Sequence, residues 1–284
     1  MKIYVLGYKG MLGRYVYSYL ISQGLDVVGL SRADIDVRDL DKTQLKQSLF
    51  RKGVMLNDII INCIGDIVIN RITTNGIQPN SQDKVTAIKI NSLFPLYLSD
   101  LYENENWKLI HISTDTVFSG KQGQYNETHP HDCTDIYGKT KSLGEPEKST
   151  VIRTSIIGEE IGRSRSLIEW VKSMKNQTVR GYINNRWNGV TCLQLAKIIE
   201  NIIVNNNFWK GARHIFSPEV VTKYELVKLI SDIYNLNVTV IPFECDLPID
   251  RSLTTIYNIK QFNISPLKTQ IEEQRDFFEK IKNV

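Results

Sequence analysis

Ile3-Tyr4-Val5-Leu6-Gly7-Tyr8-Lys9-Gly10-Met11-Leu12-Gly13 opens the chain and decides its fold. Four apolar residues rich in β-formers predict a strand. Three glycines predict a sharp turn, and the apolar-periodic stretch to Leu20 predicts a helix. Each glycine has a separate task. Gly7 permits the turn, Gly10 lets backbone N–H groups reach a pyrophosphate, and Gly13 lets the helix lie close to the strand. The helix N-terminus then attracts phosphate charge. A glycine triplet alone is weak evidence. Between a strand and a helix it predicts a dinucleotide cradle, with Gly7, Gly10, Met11, Leu12 and Gly13 as its candidate residues.

A second strand is expected at Leu25–Leu30, ending at Ser31-Arg32. A site for NAD usually keeps an acid here to grip a ribose hydroxyl. This chain offers a hydroxyl and a guanidinium, which suit a 2′-phosphate. NADPH is the favoured cofactor, NADH the alternative, and a surface arginine in a loop is the plainer reading of Arg32. Asp36 and Val37 are expected under the adenine.

The first half keeps alternating strand with helix. A polar helix is expected around 41–51, a buried strand at Asp58–Cys63, a loop over 64–83, and a helix from Asp83 to Asn104 bent at Pro95. A fourth strand follows at Lys108–Ile112, with Thr114 just past its end, where ligands bind in open parallel sheets. A further strand is expected at Val151-Ile152-Arg153. This rhythm predicts an α/β, Rossmann-type, doubly wound parallel sheet. Beyond residue 157 it changes. Helices are expected around Ser166–Met174, Cys192–Val204, Lys223–Tyr234 and from Lys268, with a loop carrying Tyr182, Trp187 and Asn188. The division is therefore residues 1–157 for the cofactor, completed by part of 186–215, and 158–284 as a smaller, mostly helical α/β substrate domain.

With 284 residues, 42% hydrophobic and 23% charged, the chain reads as an ordinary globular protein. A formal charge of +4, with lysines and arginines scattered, argues against a nucleic-acid partner. Lys2, Lys9 and Arg14 interrupt any signal-peptide pattern, and no apolar run reaches membrane-spanning length. Cys63, Cys133, Cys192 and Cys245 show neither paired nor metal-ligand spacing, which fits a reducing cytoplasm. No zinc motif joins them to His111, His129, His131 or His214, so no metal is expected. His129 and His131 read as loop residues. The sequence leaves a homodimer open.

The chemistry concentrates in Ser113-Thr114-Asp115 and in Tyr137-Gly138-Lys139-Thr140-Lys141. On a helix, Tyr137 and Lys141 share one face. A free phenol titrates near ~10, and bringing it to neutrality takes roughly 4 kcal/mol. A cation at about 4 Å in an intermediate dielectric offers roughly that much. The pair thus reads as a proton donor for a carbonyl, with Thr114 as a second hydrogen bond to the same oxygen. Alone, the pair also fits an amphipathic helix with a half-buried Tyr and a solvated Lys.

Taken together, these segments resemble an extended short-chain dehydrogenase, and more narrowly the dTDP-4-dehydrorhamnose reductase family. The resemblance runs through Gly7–Gly13, Asn62-Cys63-Ile64-Gly65, Asn91-x-x-x-Pro95, Ser113–Gly120, Tyr125-Asn126-Glu127, Tyr137–Glu145 and Arg153-Thr154-Ser155, with a weaker echo at Asp250–Leu253. It implies reduction of the keto group of a sugar held on a nucleotide diphosphate. Tyr137 would protonate the alkoxide, Lys141 would lower the Tyr pKa and bind the nicotinamide ribose, and Thr114 would orient the carbonyl. It also implies that Cys63, Ile64, Gly65 and Asn91 border the cofactor, and that Asp115, Thr116, Glu127 and Ile156 border the sugar.

Three positions depart from the family. Thr116 stands where Tyr is usual, Ile156 where an aromatic follows Arg-Thr-Ser, and Cys133 where Pro is common. All flank the expected sugar pocket. Sugar 4,6-dehydratases place Asp-Glu after the catalytic Thr, and epimerase-reductases place a Cys there; Thr116 does neither job. A 3-epimerase/4-reductase on a UDP- or GDP-sugar, and a regulatory subunit like the β subunit of methionine adenosyltransferase, are the alternatives.

Overall fold

The computed structural model describes residues 1–67, 79–105, 108–162 and 164–282. The opening run forms β1 (Ile3–Leu6), fully buried, and leads into α1 (Met11–Ser22). Next come β2 (Val27–Leu30), α2 (Lys42–Arg51), β3 (Ile59–Asn62) and α3 (Ser81–Ile88). A π-helical turn over Lys89–Leu93 joins α3 to α4 (Phe94–Glu105). Then follow β4 (Lys108–Thr114), a 3₁₀ turn at Asp115–Val117, α5 (Ile136–Leu143) and β5 (Thr150–Thr154). The expected loop at 64–83 lies largely outside the described residues.

Strands β1 to β5 are joined by one later strand, Gly211–His214, in a parallel sheet whose order is Gly211–His214, β5, β4, β3, β1, β2. The order reverses at β1, so a crevice opens between β1 and β3 at their carboxyl ends. Register places Leu6 beside Asn62, Asn62 beside His111, and Thr114 beside Thr154. The strands are near-continuous apolar runs because both faces are covered. Ile3, Val5, Ile59 and Ile61 pack against α1 and the helix Cys192–Val204; Tyr4, Leu6 and Ile60 pack against α2 and α4.

The expected bend at Pro95 falls one turn earlier. Proline has no N–H, so Pro95 gives no bond to the carbonyl of Asn91, and its ring crowds that carbonyl. The helix widens into the π turn at 89–93. Its backbone then meets α5 closely: a Cβ on Gly144 would lie 1.9 Å from the Asn91 carbonyl oxygen. Ser92 Oγ donates to Thr140 O at 2.7 Å, and Asn91 Nδ2 donates to Thr140 Oγ1 at 3.1 Å.

The second half holds more strand than the sequence suggested. After β6 (Ile156–Ile157) and α6 (Leu167–Ser173), the expected loop around Tyr182, Trp187 and Asn188 is instead β7 (Thr178–Tyr182), β8 (Asn185–Trp187) and β9 (Val190–Thr191). The missed partners are distant: β9 pairs with β6, β8 with β11 (Val221–Thr222) and β13 (Ile249–Asp250), and β7 with β12 (Thr239–Phe243). No local hairpin signal announces them. Between these strands lie α7 (Cys192–Val204), β10 (Gly211–His214), the sixth strand of the main sheet, and α8 (Lys223–Ile233). The last helix, α9 (Leu267–Ile281), spans two cores. Among the described residues, no helix is long and apolar enough to cross a membrane.

One knot of polar groups joins the halves. Glu159, buried, accepts from the hydroxyls of Tyr15 on α1 and Tyr234 after α8. Burial pushes its carboxyl above the usual range, and both phenols above theirs.

Gly144 has φ −91°, which any residue adopts, so a Gly144→Ala change would act through space alone. It should cost about 1–3 kcal/mol by overpacking α5 against the π turn. A urea midpoint equal to that of the parent protein would contradict this.

Candidate active site

The glycine turn is built as its sequence predicted. Gly7 has φ 78°, and its carbonyl accepts from Gly10 N–H at 2.9 Å. A Cβ on Gly13 would lie 2.2 Å from Gly7 O and 2.8 Å from Tyr8 Cα. Only glycine lets α1 come this close. Gly10 caps α1 without a side-chain bond, and no acid lies in the first turn. The positive end of α1 therefore faces outward with no carboxylate of its own, and the donors suit a diphosphate. Leu12 is buried in the core, so only its backbone faces that end.

At the end of β2 the predicted residues are partly engaged. Ser31 gives both its N–H and its hydroxyl to Asp34, at 2.9 and 2.8 Å. Asp34 also pairs with Lys52 at 2.9 Å, and these bonds hold its carboxyl well below the usual range. Asp36, expected under the adenine, has its carboxylate engaged by arginines: it accepts from Arg38 Nε at 2.9 Å and stands 3.6 Å from Arg32 Nε. Arg38 escaped the sequence reading. Arg32 remains the more exposed, at 66% of its side chain. Val37 does line a small apolar pocket with Leu6, Leu30, Ile64 and Phe94.

Across the crevice, Asn91 is buried and fully bonded. Its amide closes a pair of bonds with the backbone of Asp66, at 2.8 and 3.0 Å, and reaches Thr140. It clips the segment after β3, which carries Cys63, Ile64 and Gly65, to α5. Cys63 sits beside Lys141, its thiol pushed up to about 12 by burial.

Thr114, Tyr137 and Lys141 converge. Thr114 is the last residue of β4, which runs two residues further than expected. Its hydroxyl accepts from Thr116 N–H at 3.1 Å and lies beside the Tyr137 phenol, whose acidity it raises. Asp135 caps α5 by accepting from Gly138 N–H at 2.8 Å. Gly138 itself presses on the 3₁₀ turn: a Cβ there would lie 2.4 Å from Thr116 O. Lys141 is 3% exposed; its Nζ donates to Ile112 O at 2.8 Å.

Among the protein's own groups the Tyr137 phenol is pushed up to about 12. Burial leads, eased by Thr114 and reinforced by Asp115, Asp135 and Asp66. Lys141 is the group that falls, to about 8, through burial, while Glu145 and Cys63 oppose the drop.

Of the expected sugar residues, Asp115 and Thr116 stand at the site. Asp115 is buried, accepts from Thr114 Oγ1 at 3.2 Å, and has its carboxyl raised by burial. Lys223, at the start of α8, and Arg251 act on it electrostatically. Lys223, its Nζ 5.2 Å from the Trp187 ring centroid, was missed because nothing in the sequence ties residue 223 to residue 115. Glu127 is drawn elsewhere. Its two oxygens accept from His214 N–H at 2.8 Å, from Thr255 Oγ1 and from Ile256 N–H at 3.0 Å, so it staples the C-terminal segment to the sheet edge. Ile156 lies in β6, half-buried against the main core. Cys133 packs under Gly138. His131 accepts from Arg153 at 2.8 Å, and His129 bonds Asn126. Among the described residues, no three His, Cys, Asp or Glu side chains are grouped to hold a metal ion.

Relatives with the same architecture place this site in context. A dTDP-4-dehydrorhamnose reductase from Aggregatibacter actinomycetemcomitans is 27% identical over 248 residues, covering 81% of this chain and 78% of the relative. A methionine adenosyltransferase 2 subunit beta from Danio rerio is 25% identical over 255 residues, covering 83% and 74%. The crystal structure of a dTDP-4-dehydrorhamnose reductase from Bacillus anthracis in complex with NADP superposes with a TM-score of 0.79 at 19% identity, covering 97% of this chain and 99% of that one. The RmlD substrate binding domain family matches residues 1–251, most of the chain, and to that family this protein belongs.

Proposed function

We propose that this protein is an NADPH-dependent reductase of the 4-keto group of a nucleotide-diphosphate-linked 4-keto-6-deoxy sugar. It would serve the synthesis of a deoxysugar for surface polysaccharide or glycoconjugate, in the cytoplasm. The carrying observation is the convergence of Thr114, Tyr137 and the buried Lys141 at the carboxyl edge of the sheet, on the same edge as the glycine cradle. The reductase relatives, and the NADP bound by one of them, support the same reading.

The cradle at Gly7–Gly13 would hold the cofactor diphosphate, and Arg32 would meet a 2′-phosphate. Residues 1–157, completed by part of 186–215, serve this task, and 158–284 serve the sugar nucleotide. Bound there, a reduced nicotinamide supplies the hydride. The hydroxyls of Thr114 and Tyr137 orient the carbonyl oxygen, and Tyr137 gives its proton as negative charge develops on that oxygen. A phenol near 12 is protonated at neutral pH, so each cycle starts with the donor loaded. Asp115 and Thr116 flank the sugar.

The zebrafish relative named as an adenosyltransferase subunit keeps a second reading in view, a protein that binds a partner instead of turning over a sugar. Mixing the purified chain with NADPH and dTDP-, UDP-, GDP- or CDP-linked 4-keto-6-deoxy sugars separates the two. A fall in NADPH absorbance is expected with at least one; none with any would leave the binding role.

Two variants probe the roles. Tyr137→Phe should lower turnover by roughly 10²–10⁴-fold, the scale of a lost general acid, and leave cofactor affinity nearly intact. Full activity in that variant would remove Tyr137 as the donor. Arg32→Ala should weaken NADPH by roughly tenfold or more, as a lost charge-assisted bond does, with little effect on NADH. Equal losses for both cofactors would take Arg32 out of 2′-phosphate recognition.

A further inference from the structure

Behind Lys141 runs a buried chain of side chains that the reduction itself does not consume. Asn62 ends β3 and His111 lies beside it on β4; the two are 0% and 1% exposed. Asn62 Oδ1 accepts from the N–H of Ile64 at 3.0 Å. A backbone N–H can only donate, so this bond fixes which way the amide points. The Asn62 NH₂ group therefore faces His111 Nδ1, at 3.0 Å. That group too can only donate, so Nδ1 accepts and the imidazole proton resides on Nε2. His111 Nε2 stands 3.4 Å from Lys141 Nζ.

This geometry sets an N–H against the lysine. An ammonium facing it would place donor against donor. A neutral amine would accept the Nε2–H with its lone pair and still give a proton to Ile112 O, 2.8 Å away. The contact favours the neutral form of Lys141.

We propose that His111, its tautomer set by Asn62, is a positioning residue that tunes the acidity of Lys141, the amine through which a proton returns to the Tyr137 phenolate. This rests on the reductase reading, which already includes that return. As the phenolate regains its O–H through a bridging hydroxyl, one N–H bond of the Lys141 ammonium breaks, and the amine takes a proton back from water, leaving hydroxide to the buffer.

Burial lowers Lys141 most, and the acidic groups facing it oppose that drop. Cys63, just past β3, is held as a thiol by burial. Glu145, one turn further along the chain, raises the lysine, and is itself claimed by Arg153, Nη2 to Oε2 at 2.6 Å. Tyr137, one turn before, is the proton's destination. His111 is pushed well below its ordinary value by burial and by Lys141, so it stays neutral and its tautomer is stable. Lys141 at about 8 agrees with an amine that exchanges its proton near neutrality.

The sign for reduction follows. Turnover needs Lys141 protonated, so the rate should fall as pH rises through about 8. Asn62→Leu releases the ring to present an Nε2 lone pair, and His111→Gln lets a side-chain carbonyl face the ammonium. Each should move the falling limb of kcat upward by about 1 unit, the size of one hydrogen-bond or charge effect. A limb that stays in place while kcat drops would mean that the pair is merely structural, and would overturn the proposal.

The parent protein supplies a second measurement that needs no folded variant of Asn62. In ¹⁵N spectra of histidine-labelled protein, His111 should show a bare Nδ1 and a protonated Nε2 across neutral pH. His214 is the internal contrast, since its Nδ1 faces the carbonyls of Thr254 and Tyr125 at 2.8 and 3.1 Å and must donate. A protonated Nδ1 on His111 in an enzyme that reduces keto sugars would overturn this inference alone. The expected tautomer in a protein that reduces none would sink the reductase reading, and the carrier role with it.

Discussion

One close approach governs the site: α5 touches the rest of the protein with bare backbone at both ends. Gly138 meets the carbonyl of Thr116, and Gly144 meets that of Asn91. A side chain at either position would push the helix outward. Between the glycines, Thr140 is bonded to Asn91 and Ser92. Two contacts and two bonds thus fix the only helix that carries both Tyr137 and Lys141, and they fix it against the strand end that carries Thr114. The distances on which proton transfer depends are set by packing without Cβ atoms.

That arrangement explains which parts were legible in advance. The glycine turn, the strand-helix rhythm and the Tyr137–Lys141 pair are local patterns, and local patterns carry their geometry with them. The π turn was not legible, because it arises from Pro95 acting on a carbonyl four residues back while α5 packs against the result. Strands β7, β8 and β9 were read as loop, since their partners lie far along the chain. Among site residues, Gly7 and Gly13 form the tight turn, and Thr114, Tyr137 and Lys141 converge, as local spacing suggested. The partners of Glu127 were not legible, because a carboxylate is claimed by whichever donors the fold brings, here His214, Thr255 and Ile256.

The same principle runs through the charges. Asp36, Glu145 and Glu127 are all held below the usual carboxylate range by partners supplied from nearby or distant segments. Asp115 and Glu159 are raised, because burial outweighs what their partners give. The raised pair lies between the two halves of the molecule: Asp115 feels Lys223 at the start of α8, and Glu159 bonds Tyr234 just past its end. Helix α8 is therefore bonded to Glu159 just past its end, and at its start it carries the charge that Asp115 feels.

Helix α9 couples two interiors. Leu267 and Ile271 complete the core of the second half, while Phe278 and Ile281 complete that of the main sheet. Gln270 and Gln274 accept from the N–H groups of Thr191 and Leu193 at the start of α7. Peeling this one helix away would open both cores to water at once, so neither half can loosen at α9 without the other.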